Sequence, residues 1–228
     1  MTITLLVLAA IMAVIVWWLL RQTVNVSPWV EQQSIGDGHD AGAVPLHPVK
    51  LGLGVFLAVA TSLFVLLISA YFMRMMATDW IDLTVPRGLW LNTGALILAS
   101  VAMQSSVAAA RRGQGDAVRI GLMAAGGFSF LFLLGQLWAW QQLNAAGYYA
   151  TANPANAFFY LLTAMHGLHL LGGLYVWCRT TAKVWRGIEV AKVRLSVELC
   201  TVYWHFLLLV WLVLFALLSY PTPFALHR

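Results

Sequence analysis

The chain has 228 residues, of which 61% are hydrophobic and only 9% are charged. A soluble domain carries roughly 25% charged residues, so this composition excludes a soluble globular protein and predicts an integral membrane protein. The formal net charge of +5 comes from basic residues in short segments between apolar runs. The basic excess therefore indicates membrane topology rather than binding to nucleic acid.

Six apolar segments are each long enough to cross a bilayer as a helix, which takes about 20 largely apolar residues. Because these runs lack the alternation of barrel strands, we expect an all-α, polytopic transmembrane helix bundle. In chain order the six predicted spans cover residues 2–20, 51–76, 89–110, 120–147, 156–178 and 196–220.

The first span is interpreted as a retained N-terminal transmembrane helix over residues 1–20. It lacks a basic segment before its apolar run and ends in Trp-Trp-Leu-Leu-Arg rather than in a small-residue cleavage site. Residues 21–50 form the one long polar stretch, which predicts a cytoplasmic linker, with a strap along a partner subunit as the alternative. Residues 51–220 are then a five-helix bundle, and residues 221–228 an outer tail.

The orientation of the chain in the membrane is predicted from the distribution of its basic residues. Most of them lie in the first, third and fifth connections, whereas the opposite side holds only Arg74, Arg87 and Arg228. By the positive-inside rule the basic connections face the cytoplasm and both termini lie on the outer, periplasmic side. The cytoplasmic set is Arg21, Lys50, Arg111, Arg112, Arg119, Arg179, Lys183, Arg186, Lys192 and Arg194.

Histidines at membrane depth are the leading candidates for function, because ionisable groups are costly there. His169 and His205 both lie roughly 13 Å from the cytoplasmic face on antiparallel spans, so they could meet each other or a hydroxyl such as Tyr203 or Thr163. We weighed haem ligation by His169 and His205, and a di-metal site at His166 and His169, which lacks the several Glu residues such a site uses. The remaining interpretation is neutral imidazoles that lock helices or a partner together.

Two smaller features carry expectations of their own. Gly167, Gly172 and Gly173 leave a smooth surface that lets a neighbouring helix approach closely. Cys178 and Cys200 lie near the cytoplasmic ends of the last two spans, where a reducing compartment predicts free thiols. They lack the spacing of a metal site.

The last two spans resemble subunit III of the haem-copper oxygen reductases. The resemblance begins at Gly147-Tyr148-Tyr149 and Asn153-Pro154 and covers roughly residues 50–220. Weaker matches are Ala70-Tyr71-Phe72, the stretch 89–93, and Gln136 with Trp140. The most specific motif residues are His166, His169, Glu198, Tyr203, Trp204, His205, Phe206 and Trp211.

The resemblance implies a non-catalytic subunit of a respiratory terminal oxidase, in the inner (plasma) membrane of a bacterial cell. Such a subunit carries no haem or copper, which the partner catalytic subunits hold. It packs against catalytic subunit I and other oxidase subunits, stabilises the catalytic subunit, supports sustained proton uptake and binds phospholipid. Alternatives are a subunit III-like protein of a quinol oxidase or nitric oxide reductase complex, or, from a different class, a small haem-binding electron carrier.

The chain departs from the family pattern at three membrane acids. Family members usually carry acidic residues at the positions that match Ala60, Ala139 and Leu208, so roles assigned to those acids do not transfer. His166, expected level with Leu208, is expected to lack a partner. Glu198 is the acid kept within a predicted span. We consider it either a proton-collecting group near the cytoplasmic mouth of the catalytic subunit or a first-turn carboxylate that favours the helix macrodipole.

Overall fold

The computed structural model describes Trp17 and residues 48–81, 83, 86–188 and 190–219. Within these ranges the chain forms five long helices and no strand, and each helix is long and apolar enough to cross a membrane. This part of the chain confirms the all-α, multi-pass architecture. The first predicted span (2–20) except Trp17, nearly all of the 21–50 linker, and the 221–228 tail lie outside the described residues. The helices are α1 (Pro48–Met75), α2 (Gly88–Arg111), α3 (Gly115–Ala145), α4 (Pro154–Trp185) and α5 (Val190–Ser219).

The last two helices extend well beyond their predicted apolar spans. α4 continues to Trp185 instead of residue 178, and α5 begins at Val190 instead of residue 196. The basic connection predicted between them is therefore largely helix, and Gly187, at a φ of 75°, lies in the turn. A span predicted from hydropathy stops at its first charged residues. The helix itself can continue through the membrane–water interface, because long basic side chains extend toward water.

The chain divides into two compact units, Met1–Ala60 and Thr61–Arg228, with the division inside α1. The described part of the first unit is helical. In the second unit four helices pack in a closed order: α2 against α3, α3 against α4, α4 against α5, and α5 against α2. The second half of α1 lies beside α4, where Phe64 and Tyr71 contact His169 and Phe158 at ring-centroid distances of 5.2 and 5.7 Å.

Two connections meet at one end of the second unit. Asn153 caps α4, its Oδ1 accepting from the Ala155 amide at 3.1 Å, and Pro154 occupies the first turn. The Asn153 amide also donates to the Ile81 carbonyl at 2.5 Å, which joins the start of α4 to the α1–α2 connection. In that connection, hydrogen bonds from Arg74 at 2.5 and 2.6 Å hold the pKa of Asp79 below its usual range.

Close helix packing depends on glycines, but only partly on those expected. A Cβ at Gly173 would lie 2.6 Å from Tyr203 Cε1, whereas one at Gly172 would meet nothing within 4 Å. Two α3 positions that the sequence did not single out are tighter: a Cβ at Gly126 would collide with the Trp177 ring, and one at Gly135 with the Asn92 amide. The expectation is thus correct for Gly173 and misses the glycines on α3.

Candidate functional site

The Tyr203-Trp204-His205-Phe206 run places consecutive side chains against three different helices. Successive side chains of an α-helix point about 100° apart. The four side chains of this turn of α5 therefore face different neighbouring helices. Tyr203 donates its hydroxyl to the His169 carbonyl of α4 at 2.8 Å. Trp204 donates to Ser129 Oγ of α3 at 2.9 Å, and His205 binds α2. Phe206 is buried beside them, so the motif joins α5 to the rest of the bundle.

His205 uses both ring nitrogens. Nδ1 is hydrogen-bonded to Ser100 Oγ, and Nε2 lies 3.0 Å from Gln104 Oε1. Because the Gln104 oxygen only accepts, Nε2 donates to it, and Nδ1 accepts from the Ser100 hydroxyl, as one neutral imidazole can do. His205 therefore binds a hydroxyl, as the sequence suggested, but that hydroxyl belongs to Ser100 of α2 rather than to Tyr203 or Thr163.

His169 is half-buried on the other side of α5. Its Nδ1 donates to the Met165 carbonyl of its own helix at 2.8 Å, and its ring packs on Phe64. The contact between α4 and α5 at this point is made by Tyr203 and the His169 backbone, in place of the contact between two imidazole rings considered from the sequence.

His166 is completely buried, and neither ring nitrogen has a hydrogen-bond partner among the described residues. Its neighbours are aromatic: Trp211 at 5.2 Å, Phe132 at 5.7 Å and Phe64 at 6.5 Å between ring centroids. A buried polar group without a hydrogen bond costs free energy, so His166 detracts from stability in the isolated chain.

Indole N–H groups tie the bundle together across helix interfaces. Trp211 donates to Thr93 Oγ1 at 3.0 Å, Trp177 to the Leu122 carbonyl at 3.0 Å, and Trp140 to Thr163 Oγ1 at 3.1 Å. Ser129 and Trp177 were not singled out from the sequence, and Thr93 was named only within the stretch 89–93 of the resemblance. A buried tryptophan usually finds an acceptor for its N–H, so the number of tryptophans was the available signal, but their acceptors depend on helix rotation.

Glu198 is paired with two arginines at the end of the bundle predicted to be cytoplasmic. Its Oε1 accepts from Arg194 Nε at 3.2 Å and from Arg111 Nε at 3.4 Å. Of the two arginines, Arg194 lies one turn before Glu198 on α5, and Arg111 comes from the end of α2. Since α5 begins at Val190, Glu198 lies beyond its first turn, and the first-turn macrodipole interpretation is wrong.

A groove opens on the surface between α2 and α5, directly over His205. It encloses about 540 Å³ and is lined by Ile97, Ser100, Val101, Gln104, Ser105, His205 and Leu208. The Gln104 and Ser105 side chains are exposed in it, and Leu208 is half-buried. The accessible surface of the groove is nevertheless almost entirely apolar.

The chain was compared with known proteins, and no protein-family model matches it. It is 30% identical over 185 residues to a cytochrome c oxidase subunit 3 of Thermostichus vulcanus, covering 76% of this chain and 88% of the relative. The chain belongs to the cytochrome c oxidase subunit 3 family. Another member, from a Synechocystis species, is 30% identical over 180 residues, covering 73% of this chain and 72% of the relative. A probable member from Mycobacterium bovis is 30% identical over 131 residues, which cover 56% and 63%.

The structure also shows where the three residues lie that replace the acidic residues usual in the family. Ala60 and Ala139 are buried, and Leu208 lines the groove beside His205. Both cysteines are free thiols, as expected, with Cys178 exposed and Cys200 buried. Among the described residues, no group of three or more His, Cys, Asp or Glu side chains is placed to hold a metal ion.

Proposed function

We propose that the chain is the non-catalytic third subunit of a respiratory haem-copper terminal oxidase of the cytochrome c oxidase type, which reduces O₂ to water and pumps protons. The observation that carries this proposal is the match to the Thermostichus vulcanus subunit 3 over 88% of that protein's length. Haem and copper belong to partner subunits in this proposal, and the chain stabilises catalytic subunit I.

The histidine geometry supports a structural role for this chain. An axial haem ligand presents a free ring nitrogen to iron, but both nitrogens of His205 are hydrogen-bonded to α2. The His166 ring is enclosed by aromatic side chains of its own chain. These contacts favour imidazoles that hold helices together over the alternative of a small haem-binding electron carrier.

We further propose a bacterial inner-membrane location, bound phospholipid and a contribution of Glu198 to proton uptake. Exposed apolar side chains on α1, such as Leu66 and Met73, suit contact with lipid acyl chains. Glu198 is partly exposed at the end predicted to be cytoplasmic, where it is hydrogen-bonded to two arginines. A subunit III-like protein of a quinol oxidase or a nitric oxide reductase remains the alternative within the same superfamily.

The absorbance spectrum of the isolated, purified chain tests the structural role against the electron-carrier role. We expect no Soret band from the isolated chain and a strong one from the assembled oxidase. A stoichiometric Soret band that stays with the isolated chain would contradict the proposal, and its loss in His169→Leu or His205→Leu would identify the ligand.

A further inference from the structure

We propose that Trp80, Ile81 and Asn153 form a latch that holds the second half of α1, residues 61–75, closed against α4. When the latch is released, this half of α1 opens while α2–α5 stay folded. The latch consists of the Trp80 ring and of the two hydrogen bonds between Ile81 and Asn153. All of these residues belong to the second compact unit of the chain.

The second half of α1 is attached to the bundle differently from the other helices. The helices α2–α5 pack closely in a closed order, whereas residues 61–75 bring their backbone close to these described helices at hardly any point. Aromatic rings span the distance instead: Phe64 lies 5.2 Å from the His169 ring, and Tyr71 lies 5.7 Å from Phe158. A segment with few close contacts opens at a lower free-energy cost than a helix inside the closed order.

Trp80, in the α1–α2 connection, bridges α1 and α4. Its ring lies 5.0 Å from Tyr71 of α1 and 6.3 Å from Phe158 of α4. Tyr71 meets the other two rings edge-on, at interplanar angles of 90° and 87°. Edge-to-face aromatic pairs are favourable beyond the area that they bury, so the Trp80 ring holds the two helices together at this end.

The residue after Trp80 is fixed to the start of α4. The Asn153 side-chain amide donates to the Ile81 carbonyl at 2.5 Å, and the Ile81 amide donates to Asn153 Oδ1 at 3.4 Å. Because Asn153 also caps α4, this pair ties the connection to a helix of the closed order. The ion pair between Arg74 and Asp79 joins the last turn of α1 to the same connection. Movement of the connection is therefore passed on to α1.

Distances between nitroxide spin labels, measured by electron paramagnetic resonance on the full-length chain in lipid nanodiscs, test the latch. One label pair joins α1 to α2, at Met73 and Leu91, and a control pair joins α4 to α2, at Leu161 and Leu91. All three side chains are exposed, so labels there leave the core intact. Cys178 is replaced by serine because it is exposed, whereas Cys200 is buried.

The double variant Trp80→Leu, Asn153→Ser removes the bridging ring and both hydrogen bonds. Serine is itself a preferred N-cap residue, so the start of α4 is retained. We expect this variant to add a longer component to the distance distribution between positions 73 and 91. The distribution between positions 91 and 161 should stay unchanged. Asn153→Ser alone should add a smaller longer component, and it provides the test if the double variant does not accumulate.

The matched control is Trp90→Leu. Trp90 is an exposed tryptophan that contacts Phe215 of α5 and not α1, so both distributions should match those of the unaltered chain. An unchanged distribution between positions 73 and 91 in the latch variants would overturn the latch. Broadening of both distributions would overturn the separate opening of α1, because the closed order of α2–α5 would then be lost with it. A longer component between positions 73 and 91 in Trp90→Leu would overturn the specific role of Trp80.

Discussion

At the scale of single residues, two histidines in one bundle differ sharply in their hydrogen bonding. His205 is bonded through both ring nitrogens, whereas neither nitrogen of the buried His166 has a partner among the described residues. The same substitution should therefore have different effects at the two positions. His205→Leu leaves Ser100 and Gln104 without their partner and should destabilise the chain by about 1–3 kcal/mol. His166→Leu removes an unsatisfied buried group and should change stability by less than about 1 kcal/mol.

Thermal unfolding of the two variants in the same detergent measures this difference directly. His169→Leu is a useful intermediate, because its ring hydrogen bond lies within its own helix and should be lost at a smaller cost. Equal destabilisation by His166→Leu and His205→Leu would contradict the assignment of their hydrogen bonds.

Glu198 gives a prediction that separates function from stability. Glu198→Gln removes the charge shared by Arg111 and Arg194 and keeps the shape of the side chain. Because the pairs are partly exposed, the loss of stability should stay below about 1 kcal/mol. If Glu198 supports proton uptake, the assembled oxidase should lose turnover or inactivate faster while its subunit composition stays normal.

The matched control for Glu198 is Asp116→Asn. Asp116 is an exposed acid at the start of α3, paired with Arg119, and we expect its neutralisation to leave turnover unchanged. Unchanged initial and long-term turnover in Glu198→Gln would leave Glu198 as a structural ion-pair partner only.

At the scale of helices, adjacent glycines on α3 test how closely α3 and α4 approach. An alanine methyl group at Gly126 collides with the rigid Trp177 ring, whereas one at Gly127 meets nothing within 4 Å. Gly126→Ala should cost about 1–3 kcal/mol through overpacking. Gly127→Ala should be neutral or stabilise by up to about 1 kcal/mol, because alanine favours the helix. Denaturant titrations monitored by tryptophan fluorescence compare them, and a Gly126→Ala variant as stable as Gly127→Ala would exclude the close contact.

The sequence predicted where helices lie better than where they end or which way they face. The five described spans were found because about 20 apolar residues are a strong signal. The end of α4 and the start of α5 were missed because Arg179 and Arg194 look like loop residues when only hydropathy is counted. The partners of His205 were missed because Ser100 and Gln104 lie about a hundred positions away, and helix rotation decides such contacts.

At the scale of the whole molecule, topology remains a prediction from the distribution of basic residues. A reporter fused after Arg228 should read as periplasmic, because the basic connections place both termini outside. The measurement is the activity of a reporter that works only in the periplasm, with a fusion in the α4–α5 turn at Gly187 as the cytoplasmic control. A cytoplasmic signal from the Arg228 fusion would contradict the six-span model and imply an odd number of helices.

The resemblance to the family was recognised from motif residues whose contacts could not be predicted from the sequence. Tyr203, Trp204 and His205 could be matched to subunit III, and the structure supplies their physical role as contacts to three neighbouring helices. The buried aromatic neighbours of His166 could not be predicted, because Phe64, Phe132 and Trp211 come from three different helices.

The measurement that tests the central claim most directly is purification of the tagged chain from its native membranes in a mild detergent. Subunits are identified by mass spectrometry, and haem is measured by absorbance. The account predicts that the chain purifies with a haem-copper catalytic subunit and that the complex consumes O₂. Purification of the chain alone, or with a nitric oxide reductase in place of an oxidase, would contradict it.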